Sequence, residues 1–582
     1  MNILRDNRGI ALISVYTIVM ILLFTGGVYT ARSLYEFKFA MRQRDEIKAY
    51  YTAEAGLNQA SIGIYQLFAP IAYDSWRDDT FAADLQTIVT GYAFPTNVVM
   101  PDGLTYSVMP TAANPVVAVN NGALLKLIAV GQAPHLGGTT RKVIAANVSF
   151  MMDPSPIFTY AYFVNNFGWL KGAGITINGD ARSNGNFDFT GNPMINGDIY
   201  ATTNPALGAA GTVTGLSRSW DTAAYTNHAP IRARSTNPTD AANPDATILA
   251  SGYSGTSTRY ENSEVLDMPY LGDLSKYKDM ADDDNGQISQ GAIVLVNEVY
   301  EYGVGADGIG GTADDVGVGP DGVGGTPDDG CMILIGTVAN PLVIDGTVVV
   351  EKDIIIRGVV EGQGTIYTGR NIHIGGDIIY ANEPSWPKPD PDPVATAAVN
   401  RTKDFLGLAS KGNVLIGNYT RNDWFVTCKD YLKPPFTQGY VTDSTDAGNG
   451  YDSDGNPLNG YFFDGDYTVA DGGDKDDGLG GAVARKYYEG SFSDTVADAN
   501  IDPSNLIRIV NAVIYNNHAA VGKVGRFTLN GSLIARDEAL IWSGNLDINY
   551  DLRASTDSLA SFDSNLPRDL ALPRTRTRQE SI

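Results

Sequence analysis

The chain predicts an α+β N-terminal module, a long transmembrane helix plus a small antiparallel sheet, followed by an all-β parallel β-helix with long loop insertions. Three observations carry this. A twenty-residue uncharged run, Ile10–Tyr29, follows a leader holding Arg5 and Arg8. No Pro occurs before Pro70. From about residue 173 glycines recur every six residues.

The apolar run is about the length an α-helix needs to cross a hydrocarbon core. With the basic leader retained in the cytoplasm, the rest of the chain is exported. A secretory signal peptide would have a shorter apolar core and an A-x-A-like cleavage site, and Thr25-Gly26-Gly27 is a poor substitute. A plain signal anchor is the simpler alternative. Beyond the run, Arg32/Glu36 and Arg42/Glu46 fall four residues apart, and Leu34, Phe37 and Met41 keep an apolar stripe. One helix over 10–69, stopping before Pro70, is expected. Leu104–Pro110, Leu124–Ala133 and Arg141–Asp153 alternate apolar and polar residues and read as antiparallel strands within 70–154.

Arg8-Gly9 ahead of the apolar run, and Ala53-Glu54-Ala55-Gly56 near the end of the helix, resemble the N-terminal region of PilX-like minor pilins, in the type IV pilin superfamily. The resemblance covers about the first 65 residues. It implies a leader, 1–9, cut by a prepilin peptidase between Gly9 and Ile10. It also implies packing with other pilin or pseudopilin subunits, and a sheet laid on the outer half of the helix. Many major pilins carry Glu at the fifth mature residue, where this chain has Ser14; that fits a minor or tip subunit. Gly26-Gly27 reads equally as close packing or as a weak point in the helix.

The hexads begin at Gly179, Gly185, Gly191 and Gly197, and return at Gly346, Gly358, Gly364 and Gly376, then from Gly525. Apolar residues two and four places on (Val348, Ile354, Val360, Ile366, Ile372 and Ile378 at the first of these) read as one inward face of short strands. Three hexads make a coil, and coils must stack to bury that face. The pattern resembles bactofilin-type and other polymer-forming repeats. The expected layout is β-helix at 155–202, 336–381, 409–420 (a fragment) and 506–550. Between these lie an insertion with Asp/Gly repeats at 203–335, a Pro-rich loop at 382–408 and an acidic insertion at 421–505; 551–582 reads as a tail.

The net charge of −25 argues against nucleic acid as a partner. A duplicate, ADGIGGTADD and PDGVGGTPDD, matches Asp307, Asp314 and Asp315 with Asp321, Asp328 and Asp329. Carboxylates on Gly turns suit Ca²⁺, against the alternative of a solvated acidic loop. Cys331 and Cys428 would either pair in an oxidising compartment or stay as two buried thiols. None of His135, His228, His373 and His518 sits in a nucleophile or zinc motif; His373 should point outward from its coil. No catalytic residue is identified. The expected role is therefore structural and not enzymatic: a minor or tip subunit of a type IV pilus or type II secretion pseudopilus. It would sit in the inner membrane or a surface pilus and present a β-helical head, adhesive toward a surface or polysaccharide ligand. The competing readings are a membrane-anchored carbohydrate-active enzyme and a cell-envelope scaffold outside any filament.

Overall fold

The computed structural model describes residues 7–579 apart from three long stretches, 202–258 (where only 230–231 are placed), 301–330 and 429–493, and several short ones. The chain divides into two units, residues 1–152 with 570–582, and residues 153–569.

The first unit is built on one helix, α1, Asn7–Arg77. Its outer half carries a one-sided stripe, Ala49, Ala53, Leu57, Ala60, Ile64, Phe68, Ala72 and Trp76, all buried. Spacings of three and four put these on one face. The helix does not stop before Pro70, as expected from sequence, but runs through it. Pro70 forfeits one backbone hydrogen bond. Burial of Phe68, Ala72 and Trp76 on either side holds the helix across that gap. A left-handed Asp79 (φ 56°) then turns the chain into α2, Phe81–Gly91, so 70–91 is helical and not sheet. Phe81 meets Phe68 edge-on at 4.7 Å between ring centres.

Five strands follow: β1 Val98–Val99, β2 Thr105–Pro110, β3 Val116–Val119, β4 Gly122–His135 and β5 Gly138–Pro154. All neighbouring pairs are antiparallel, in the order β1-β2-β4-β5, with β3 also on β4. The predicted 551–582 tail is not a tail throughout. Arg574–Gln579 adds a further antiparallel strand to β5, and Tyr65 on α1 donates to the Leu570 carbonyl. This pairing could not be read from sequence because its partner lies over 420 residues away.

Contact between α1 and the sheet is close enough to exclude side chains. A Cβ on Gly56 would lie 2.5 Å from Tyr106 Cδ2, and one on Gly131 in β4 would lie 2.6 Å from the Ala53 nitrogen. Tyr106 also donates to Gln59 Oε1 on α1.

The second unit is dominated by parallel pairing. Val348 pairs with Ile366 and Ile354 with Ile372, each eighteen residues on. The residues two and four places into the hexads, including Val348, Val350, Ile354, Ile356, Ile366, Ile372 and Ile374, share one core. The eighteen-residue offset is not kept throughout: Cys331 pairs with Asp353, twenty-two residues on, and Ile509 with Thr528, nineteen on. Gly358, at φ 95°, marks a register slip, after which Val360 pairs with Tyr380, twenty residues on. A left-handed φ there requires Gly.

The stacking order differs from the sequence order. Strand Cys331–Gly336 lies on Asp353–Gly358, followed in space by 372–380, 405–416, 509–523 and 526–542. The next strand along is not later in the chain. Leu533–Ala535 pairs with Tyr162–Val164, and Leu546–Asn549 pairs with Ile175–Asn178. The first hexads therefore stack on the last ones, and 194–201 lies beyond them.

Other expectations are corrected here. The Pro-rich 382–408 segment contains a helix, Pro393–Asn400, with Asp392 accepting from the Ala395 N–H at 3.0 Å. His373 lies between the interior Ile372 and Ile374 yet is fully buried, because chain packs over it. It contacts Asp353 Oδ1 at 3.3 Å and the Tyr419 ring at 5.3 Å. Cys428 is a free, buried thiol, so no Cys331–Cys428 disulfide is present. Cys428 closes the short helix Asn422–Cys428, and burial pushes its thiol pKa up, which favours the inert protonated form.

One buried ion pair ties distant segments together. Arg553 donates to both Asp551 carboxylate oxygens and to the carbonyls of Asn400, Lys403 and Asp404, with its guanidinium 5.3 Å from the Phe405 ring. Removing Arg553 alone leaves Asp551 buried without its cation. Arg553→Leu should destabilise the second unit by about 3–5 kcal/mol, read as a fall in its denaturation midpoint; an unchanged midpoint would contradict this account. Gly131→Ala should destabilise the first unit by about 1–3 kcal/mol through overpacking against α1, measured in the same way.

Candidate functional site

Two features stand out. The first is the N-terminal half of α1. From Leu12 to Phe39 its large apolar residues are exposed, among them Leu12, Ile13, Leu23, Phe24 and Phe37. Within α1, residues 11–77 contain a window apolar enough to cross a membrane, and none of that window is buried. So much exposed apolar surface is unfavourable in water and demands lipid or partner helices. Backbone polarity is already satisfied within the helix, as a membrane requires.

Ser14 lies in this exposed segment, and Arg8, Gly9 and Ile10 lie in its first turns. The Ala53-Glu54-Ala55-Gly56 motif lies elsewhere, on the packed half. Ala53 and Gly56 are buried against the sheet and Glu54 is half-buried. The small residues of the motif are thus accounted for by close contact with Gly131 and Tyr106.

A charge cluster fixes α1 to the sheet just inside the exposed half. His135 Nδ1 lies 2.9 Å from Asp45 Oδ2, and Lys142 Nζ lies 3.1 Å from Glu46 Oε2. Hydrogen bonds from His135 and Arg44 hold the Asp45 carboxyl below its ordinary pKa. Those from Lys142, then Arg42, do the same for Glu46.

The second feature is a cavity of about 220 Å³ within the second unit, lined by Asn178, Asn196, Trp386, Asn400, Tyr550 and Asp551 among others. An asparagine ladder runs to it. Asn530 Nδ2 donates to Asn511 Oδ1 at 2.8 Å, Asn549 to Asn530 at 2.7 Å, Asn178 to Asn549 at 2.8 Å and Asn196 to Asn178 at 2.8 Å. Stacked parallel strands place like side chains in register, which is what lets amides chain in this way. A shorter series links His518, Asn413 and Asn371.

Sequence reasoning missed the ladder. The signal was the recurrent apolar-Asn pair, as in Ile177-Asn178, Ile195-Asn196, Val510-Asn511, Leu529-Asn530 and Ile548-Asn549. The candidate Ca²⁺ ligands Asp307, Asp314, Asp315, Asp321, Asp328 and Asp329 lie outside the described residues. Among the described residues no group of three or more His, Cys, Asp or Glu is arranged to hold a metal.

Because the folded-state pKa values of Asp45 and Glu46 are depressed, their contribution is full above the ordinary carboxylate range, about pH 4. It is lost as pH falls through the lower folded values. The first unit should therefore lose stability on acidification below about pH 4. Asp45→Asn should flatten that dependence, as measured by denaturation midpoints across acid pH; an unaltered acid slope would count against the cluster.

No known family profile matches the chain, and no curated protein does. Among solved structures, the competence-associated pilin ComZ from Thermus thermophilus overlays 92% of this chain and 98% of its own length, at 12% identity and a TM-score of 0.27. An overlay that loose carries no argument about this chain, whose reading rests on its own residues.

Proposed function

We propose that the chain is a membrane-anchored, pilin-like structural subunit that carries a large parallel β-helical head. The observation that carries the reading is the division of α1 into two halves. One half is apolar and exposed; the other packs through small residues onto an antiparallel sheet from its own chain. A helix needed only as an anchor would require about twenty residues, whereas this one extends as a single 71-residue element. The excess length suits lateral packing with like helices.

In this reading Gly9–Ile10 is cut by a prepilin peptidase, and the segment from Ile10 passes from the inner membrane into a type IV pilus or a secretion pseudopilus. Ser14 in place of an acidic residue, and a chain of 582 residues, favour a minor, PilX-like subunit present in few copies. A buried carboxylate in lipid is costly unless paired, so a subunit lacking one has no need of a neighbour's terminal amine. The head is supported by parallel pairing at eighteen residues, the shared interior of hexad side chains and the amide ladder. Its role is presentation, not catalysis. The Asp307–Asp329 duplicate would add a Ca²⁺ site to that head, which calorimetric titration with Ca²⁺ tests directly.

N-terminal sequencing of the protein recovered from its native membranes should begin at Ile10, and Gly9→Leu should abolish that processing. A mature chain that begins at Met1 would overturn the pilin reading and leave a plain anchor. Cysteine pairs placed along Leu12–Phe39 should crosslink to other helical subunits in a processed sample.

A further inference from the structure

The two units carry opposite charge. Residues 1–152 and 570–582 hold 14 Lys and Arg against 11 Asp and Glu, a net of +3. Residues 153–569 hold 27 against 55, a net of −28. The overall −25 therefore conceals a basic part.

Much of that basic charge lies on one face of the first unit's sheet. Alternate residues of β4 and β5 point to opposite sides. Leu125, Leu127, Ala146 and Val148 are buried, in the series of Gly131, which meets α1. The other series leaves Lys126, Arg141 and Asn147 exposed. On the next strand exposed Arg574 stands opposite Ser149, and Arg576 and Arg578 stand opposite Asn147 and Ala145. No Asp or Glu occurs in β1 to β4 or in 574–579, and the single one in β5, Asp153, is next to its last residue.

An apolar row lies among these cations. Met109, Ile128 and Ala145 are paired across β2, β4 and β5. Met109 is 45% exposed, and Ile128 and Ala145 are half-buried. An apolar centre with a charged rim is the anatomy of a protein interface.

This composition restricts the partner. A nucleic acid calls for a far more basic footprint than a net of +3. A lipid surface is out of reach: Asp45, where the sheet begins to hold α1, lies sixteen residues beyond Tyr29, about 24 Å along the helix. An acidic protein surface suits both the rim and the row. The chain itself supplies one, because the carboxylates of the second unit exceed its cations by 28.

We propose that the outer face of the first unit's sheet docks on the acidic second unit of another copy of this chain. The contact is heterologous, so a third copy can add in the same way, and two copies are enough to form it. The proposal does not rest on the pilin reading, because both charges belong to this chain. It needs neither cleavage at Gly9 nor a filament, so its failure would leave the processing result standing.

The test is sedimentation velocity of the full chain in a nonionic detergent. The chain should associate at about 50 mM NaCl and dissociate at about 500 mM, because salt screens contacts between exposed charges. Association through the apolar half of α1 would not respond in this way. Lys126→Glu combined with Arg141→Glu, both exposed changes, should weaken association at low salt about tenfold with the denaturation midpoint unchanged. A benzophenone amino acid in place of Asn147, in a mixture of isotopically heavy and light chains, should crosslink to residues within 153–569 of the other isotopic form. A chain that stays monomeric at low salt would overturn the proposal. So would an association that salt and the charge reversal leave unaltered, or a crosslink confined to its own copy. Transfer of the crosslink to added duplex DNA or phosphatidylglycerol in place of a second chain would overturn it as well.

Discussion

Register between parallel strands is the constraint on which the second unit depends. Each strand must present its interior residues directly above those of its neighbour, or the core and the amide ladder fail together. Val348 over Ile366 and Asn549 over Asn530 obey the same rule, one inside the apolar interior and one in the polar series. A shift of one residue would reverse every side chain. The slip at Gly358 is tolerated because its φ of 95° turns the chain there and pairing with the same strand, 372–380, resumes at a new offset.

The same constraint closes the unit on itself. Hexads near residues 175–201 stack on strands near 526–549, so the earliest and latest parts of this unit are direct neighbours. The ladder crosses that seam between Asn549 and Asn178 at the spacing it keeps elsewhere. Contacts between residues hundreds of positions apart carry a high loop-closure cost. Arg553 adds a second tie, holding the segment after the last hexads to carbonyls at 400–404. Some inserted chain lies outside this framework, as with the 393–400 helix and the chain over His373, whereas Gln287–Ser289 joins it by antiparallel pairing with Val343–Asp345.

In the first unit the governing term is steric. Ala53, Gly56 and Gly131 let the α1 backbone approach the sheet, and the Asp45/His135 and Glu46/Lys142 contacts fix where that approach begins. Before that point the large apolar residues from Leu12 to Phe39 are left uncovered. One helix therefore presents two unlike surfaces, an uncovered apolar stretch and a face packed on the sheet, with the change marked by Asp45, the first charged residue it buries.

The sequence by itself determined what depends on neighbouring residues: the apolar run, the continuous helix, and the hexads with their interior positions. Each is a local periodicity, readable because helix and strand repeat every few residues. It also contained the Ala-Glu-Ala-Gly motif and the recurrent apolar-Asn pair, without saying what either touched. Only the tertiary structure decided the return of 574–579 to β5, the stacking of first hexads on last, the burial of His373 and the free state of Cys428. It also carried α1 through Pro70, where a local rule predicts a stop, because packing on both flanks outweighs one lost hydrogen bond. These outcomes join residues far apart in the chain, and no periodicity within a single segment encodes its distant partner.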